Sequence, residues 1–160
     1  HHLFGFRCTG LRFFTVYGPW GRPDMALFKF TDAILKGRAI DVYNYGQLKR
    51  DFTYIDDIVA GILGVLDRPM ADLGVENGPP HRVYNLGGNR TENLLDFIQI
   101  IETALGRKAI YDFKPLQDGD VAETCADISA AVADFGFAPQ TPIAVGLPKF
   151  IAWYRSYYGV

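Results

Sequence analysis

The sequence of 160 residues predicts an α/β fold. Short runs of β-branched and aromatic residues alternate with longer stretches in which apolar residues recur at helical spacing. Glycine and proline fall at the boundaries between these runs. Hydrophobic residues make up 49% of the chain, with twelve Phe and nine Tyr, which is enough apolar surface for a packed core and excludes a disordered linker.

The elements follow in order. Residues 11–16 read as one short buried strand that ends in the Gly18-Pro19 turn. A helix starts at Asp24, carries Leu27, Phe28, Thr31, Ile34 and Leu35 on one face, and stops at Gly37. Residues 39–43 and 50–54 are two strands, joined across residues 44–49 in the manner of a hairpin. Asp56 or Asp57 can cap the next helix, which carries Ile58, Ile62, Val65 and Leu66. Residues 67–81 hold three prolines and two glycines and form a surface loop. A strand over 83–86 meets Gly87-Gly88, Thr91 caps a helix that runs to Leu105, and Gly106 ends it. Residues 109–113 are a strand, and Ser129 opens a short helix ending near Gly136. The last helix starts at Thr141-Pro142, with Ile143, Leu147, Phe150, Ile151, Tyr154 and Tyr158 on one face. Pro148 lies inside it and predicts a kink or a local break.

Bulk properties narrow the function classes. A net charge of −2 gives no broad attraction for nucleic acid or for an anionic membrane. The longest apolar run, residues 58–66, is too short to span a bilayer. Cys8 and Cys125 form neither a disulfide framework nor a metal-ligand spacing, and free thiols point to a reducing, cytoplasmic setting. With three histidines in all, two of them at the amino terminus, no metal site is expected.

Two motifs carry more. Residues 12–25 read Arg-Phe-Phe-Thr-Val-Tyr-Gly-Pro-Trp-Gly-Arg-Pro-Asp-Met, and residues 50–58 read Arg-Asp-Phe-Thr-Tyr-Ile-Asp-Asp-Ile. Together they resemble the second half of the extended short-chain dehydrogenases/reductases that act on nucleotide sugars, above all the UDP-glucuronate 4-epimerase branch. The resemblance implies an incomplete Rossmann-like architecture: the last parallel strands, followed by a small C-terminal substrate-binding lobe. On that reading residues 1–160 are one partial unit. In the family the glycine-rich NAD fingerprint and the catalytic Tyr-x-x-x-Lys precede these motifs, so no catalytic residue is assigned to this chain and no turnover is expected from it alone.

The resemblance also distributes roles. Tyr17, Gly18 and Pro19 fall beside the nicotinamide of NAD. Thr15 and Arg22 fall at the sugar, where a hydroxyl and a guanidinium can hold a carboxylate. Arg50 is placed on the pyrophosphate. Lys29 follows the Gly-Arg-Pro-Asp segment and can approach the nucleotide; Tyr43 and Gln47 bracket the hairpin near the uracil or ribose. Gln117 and Asp120 lie on a loop that closes over the nucleotide, with glutamine where relatives often carry arginine. The implied ligands are a UDP-sugar and NAD, and a sheet lacking its first strands should expose apolar surface and favour a homodimer or other homo-oligomer. A 4,6-dehydratase, a uronate decarboxylase and a non-catalytic nucleotide-sugar-binding fragment share the scaffold. Two look-alikes are set aside. Tyr45 and Lys49 have the Tyr-x-x-x-Lys count but sit in turn chemistry, and Gly61-x-x-Gly64 sits inside an amphipathic helix.

Overall fold

The computed structural model describes residues 3–68 and 81–160. His1 and His2 lie outside the described residues, as does the loop expected over 67–81 except at its ends. The strands are β1 (Cys8–Phe13), β2 (Thr15–Tyr17), β3 (Ala39–Val42), β4 (Lys49–Arg50), β5 (Phe52–Tyr54), β6 (His81–Leu86), β7 (Glu92–Asn93) and β8 (Ile110–Phe113). The helices are α1 (Ala26–Leu35), α2 (Ile55–Asp67), α3 (Leu94–Leu105), α4 (Ser129–Phe135) and α5 (Ile143–Tyr158). Strands β1 and β6, β2 and β5, and β3 and β8 pair in parallel, whereas β4 and β7 pair antiparallel.

The pairing corrects two expectations. The stretch 11–16 is two strands that change partner at Phe14: its N–H donates to the Leu86 carbonyl, and the Thr15 N–H donates to that of Asp51. Apolar periodicity carries no record of such a switch, because both halves face apolar neighbours. The stretches 39–43 and 50–54 are not a hairpin. The first pairs with β8; in the second Arg50 pairs with β7 and Phe52–Tyr54 with β2, and between the two stretches lies a 3-10 turn, Tyr43–Gly46, with Asn44 and Tyr45 at positive φ.

Helix ends also differ from the sequence reading. No side chain caps α2, because β5 runs straight into it and the N-cap position falls on Tyr54. Asp56 and Asp57 occupy the first turn, where they complement the helix dipole, and Asp57 Oδ2 accepts the Thr141 N–H at 2.9 Å. The short strand β7 displaces the start of α3 past Thr91 to Leu94. Helix α1 likewise begins at Ala26, two residues after Asp24. At the other ends, Gly37, Gly106 and Gly136 take the left-handed conformation that stops a helix. Helix α5 runs unbroken through Pro148, held by the burial of Ile143, Gly146, Leu147, Phe150 and Ile151 along one side.

Two cores result. The larger lies between α1, α3, α5 and strands β3 and β5, with Val42, Phe97, Ile98, Ile101 and Leu147 fully buried and Phe52 stacked on Phe97 at 4.2 Å. The smaller joins α2, α4 and β6 through Ile58, Leu86, Ala131 and Phe137. Gly61 of α2 packs here, since a Cβ would stand 2.8 Å from the Phe137 ring. That contact gives the glycine a packing role. Val59, Leu63 and Leu66 of α2 and Phe13 and Val83 of the β1–β6 pair remain exposed.

Candidate functional site

The turn after β2 is built by close packing. Gly18 has φ +146, and a Cβ there would lie 2.5 Å from Ile55 Cγ2, so only glycine fits. The Tyr17 ring is buried, and its hydroxyl donates to the Pro142 carbonyl at 3.5 Å. Gly146 makes room for it, because a Cβ there would be 2.2 Å from the phenol oxygen. Burial pushes the Tyr17 phenol well above its ordinary range, only partly offset by the Arg90 charge. The Tyr17 side chain is therefore core structure, which leaves the backbone of the turn and the half-buried Pro19 to face a ligand. Arg22 is exposed and forms a two-pronged pair with Asp24, through Nε at 3.1 Å and Nη2 at 2.5 Å.

Beside this turn lies a cavity of about 550 Å³, lined by residues that include Asp24, Lys29, Arg38, Asp41, Tyr43 and Gln117. Three of the expected substrate residues, Lys29, Tyr43 and Gln117, meet there. The lining carboxylates already have cations: Asp24 has Arg22, Asp41 has Lys114 at 2.6 Å, and Asp32 has Lys36 at 2.6 Å and Arg38. Among the described residues Lys29 is the lining cation that makes no ion pair, so it is the charge available to an anionic ligand. Gln47 does not line the cavity. It ends the 3-10 turn, donating its N–H to the Asn44 carbonyl at 2.8 Å.

Arg50 and Asp120, expected as separate ligand contacts, are joined. Arg50 Nη2 donates to Asp120 Oδ1 at 2.8 Å, and Nη1 donates to the carbonyls of Lys49 at 2.9 Å and Ala122 at 3.2 Å. Three of the five guanidinium N–H groups are thus used, leaving two for a phosphate. The pairing follows from how the 117–126 loop is strapped to β4: Lys49 N–H donates to the Ala122 carbonyl at 2.9 Å, and Thr124 N–H to that of Lys49 at 3.2 Å. Asp120 N–H also donates to the Gln117 carbonyl, so one loop links Arg50 to the cavity. Thr15 lies on the adjoining strand, bonded through its N–H to the Asp51 carbonyl at 3.2 Å, one residue from Arg50.

Asp51 was not anticipated. Fully buried, it accepts the N–H groups of Gly88 and, at 2.8 Å, Ala126, and the Thr53 hydroxyl at 3.4 Å. It ties β5, the end of β6 and the 117–126 loop together. A Cβ on Gly88 would stand 2.8 Å from the Phe52 carbonyl oxygen and 2.9 Å from Asp51 Oδ1. The available signal was strand alternation: Arg50 and Asp51 are neighbours on extended chain, so their side chains point to opposite faces and Asp51 turns into the core. Of the look-alikes, Tyr45 is exposed at φ +52 in the 3-10 turn, and Lys49 approaches Glu123 at 4.0 Å, so no helical Tyr–Lys pair exists there.

The sequence profile of the NAD dependent epimerase/dehydratase family matches residues 1–87. The chain belongs to that family. This family member is 54% identical to an uncharacterised 37.6 kDa protein of Escherichia coli O111:H-, over 99% of its own length and 50% of the relative's. It is 48% identical to UDP-glucuronate 4-epimerase 2 of Arabidopsis thaliana, over 99% of its length and 38% of the relative's. Among solved structures it superposes with a TM-score of 0.87 and 32% identity on the Bacillus cereus UDP-glucuronic acid 4-epimerase in complex with UDP-glucuronic acid and NAD. That match covers 99% of this chain and 48% of the other. The chain of this epimerase/dehydratase family member thus spans about half the length, or less, of these relatives. Among its described residues, no helix is long and apolar enough to cross a membrane.

Proposed function

We propose that the chain is the substrate-binding portion of an NAD-dependent nucleotide-sugar epimerase that interconverts UDP-glucuronate and UDP-galacturonate. The observation that carries this reading is the continuity of the site. A cavity with one unpaired cation, Lys29, is linked by a single loop to Arg50, and Arg50 adjoins Thr15 on the next strand. That order suits a nucleoside in the cavity, a diphosphate at Arg50 and a sugar at Thr15 and the turn. The Arg22–Asp24 pair joins that turn to the cavity rim, since Asp24 lines the cavity.

The chemistry assigned to these residues is binding and orientation. Arg50 offers two free N–H donors to a phosphate, and its other three hold its geometry, so little freedom is lost on binding. Arg22 reaches a sugar carboxylate by exchanging one charge-assisted partner, Asp24, for another. NAD, when bound, would supply hydride acceptor and donor chemistry at the sugar C4. The part of this chain suited to its nicotinamide edge is the backbone of Tyr17–Pro19, at the carboxyl end of a parallel strand where open α/β sheets receive ligands. A cytoplasmic location and assembly as a homodimer or other homo-oligomer complete the proposal, supported by two free cysteines and by the exposed apolar face of α2.

Calorimetric titration of the chain with UDP-glucuronate, UDP-glucose and UDP tests the reading. Binding of all three, tightest for the uronate, is expected; a preference for the neutral sugar would favour another branch of the family, and no binding would refute the proposal.

A further inference from the structure

Trp20 sits in the turn after β2 at φ +62, a left-handed conformation rare for a bulky side chain. Such a conformation persists only where its surroundings over-determine it. Burial is not what imposes it, because Trp20 is 73% exposed. Two rings contact it instead: the indole lies 5.3 Å from Trp153 and 5.2 Å from Tyr157, edge-on to the latter. Trp153 stacks on Tyr157 at 5.4 Å and reaches the buried Phe150 at 5.5 Å, so this shelf is anchored in the core.

The same turn meets α5 at a second place. Tyr17 bonds to the Pro142 carbonyl and fills the space left by Gly146, seven residues before Trp153. Seven helical residues span about 10 Å, so the two contacts grip α5 at well-separated points. A turn held at one point can pivot; one held at two cannot. Between the two grips lie Gly18 and Pro19, and just beyond them is Arg22, whose only ion pair among the described residues is to Asp24 within its own turn.

We propose that Trp20 is a positioning residue that clamps the 18–22 turn to α5 through Trp153 and Tyr157, fixing Arg22 and the Tyr17–Pro19 backbone relative to β2. The proposal rests on the functional reading above and deepens it. The sugar end of a nucleotide-sugar depends on the clamp, and the nucleotide end, at Lys29, Tyr43 and Arg50, does not.

The test uses Trp20→Gly and Trp20→Phe in the full chain, titrated with UDP and with UDP-glucuronate. Glycine removes the ring and also relieves the backbone strain, so this variant is expected to fold, which a thermal melt checks. With Trp20→Gly, UDP affinity is expected to stay within about twofold. UDP-glucuronate affinity should fall about tenfold, the scale of one charge-assisted hydrogen bond. Trp20→Phe, which keeps a ring, should fall between. Equal losses for both ligands, or no loss for either, would overturn the clamp. Amide hydrogen exchange separates its failure from that of the functional reading. Faster exchange confined to residues 18–25 in Trp20→Gly supports the clamp even if the wild-type chain binds neither ligand. Unchanged exchange there overturns it.

Discussion

Replacing Asp51 with alanine is expected to loosen the molecule at its central junction. The carboxylate is fully buried and accepts two backbone N–H groups, from Gly88 and Ala126, and one hydroxyl, from Thr53. The hydroxyl can rotate to another acceptor, but the two N–H groups cannot. Each buried donor left unsatisfied costs about 1–3 kcal/mol, so the two together cost about 2–6 kcal/mol. For a chain of this size 1 kcal/mol lowers Tm by about 2–4 °C, giving a fall of about 4–24 °C with a midpoint of about 12 °C. Asp51→Asn keeps one acceptor oxygen but turns an NH2 toward the second N–H, so about half that fall is expected. Differential scanning calorimetry reads both, and limited proteolysis should show the 117–126 loop cut first in the alanine variant. An Asp51→Ala protein melting within about 2 °C of wild type would refute the reasoning, since two orphaned donors cannot cost so little.

Other expectations follow from the same contacts. Arg50→Ala should weaken UDP binding by about ten- to a hundredfold, and Arg50→Lys should recover only part of it because the fork is lost; calorimetry decides. Gly88→Ala forces a Cβ to 2.8 Å from the Phe52 carbonyl oxygen and should destabilise by about 1–3 kcal/mol in urea titrations. Burial would raise the pKa of Glu102, but Lys108, the Ala109 N–H and Tyr111 outweigh it and hold the carboxyl below its ordinary 4.5. Its stabilisation is therefore full above that value and lost as pH falls below it, so Glu102→Gln should flatten the acid limb of a stability–pH profile. Burial, reinforced by the Asp32 carboxylate, pushes the Tyr154 phenol from 10.0 up to about 12. Stability should then decline between those two pH values, and Tyr154→Phe should remove that part of the alkaline loss.

What the sequence revealed was local or periodic. The α/β alternation, the amphipathic faces of α1, α3 and α5, and the stops at Gly37, Gly106 and Gly136 are encoded within a few residues. Pairing was hidden, because β2 with β5 and β3 with β8 are parallel partners separated by long stretches of chain, and no turn residue specifies them. Capping failed where strands run directly into helices, leaving Asp56, Asp57 and Thr91 outside the N-cap position. At the site, the motifs singled out Lys29, Tyr43, Gln117 and Arg50, which the structure gathers around one cavity and one loop. Tyr17 was assigned by its motif to the ligand, yet its ring belongs to the core, because Gly146, 129 positions later, opens the space for it. The pairing of Arg50 with Asp120 required folding a distant loop onto β4.

The most direct test is a nuclear magnetic resonance titration of the labelled chain with UDP-glucuronate. The largest shifts are expected at Lys29, Tyr43, Arg50 and residues 117–120, with a second set at Thr15 and residues 17–22 that UDP alone does not move. Shifts confined to the separate cavity between the carboxyl ends of α1 and α5, or none at saturating ligand, would contradict the assignment of this site to a nucleotide-sugar.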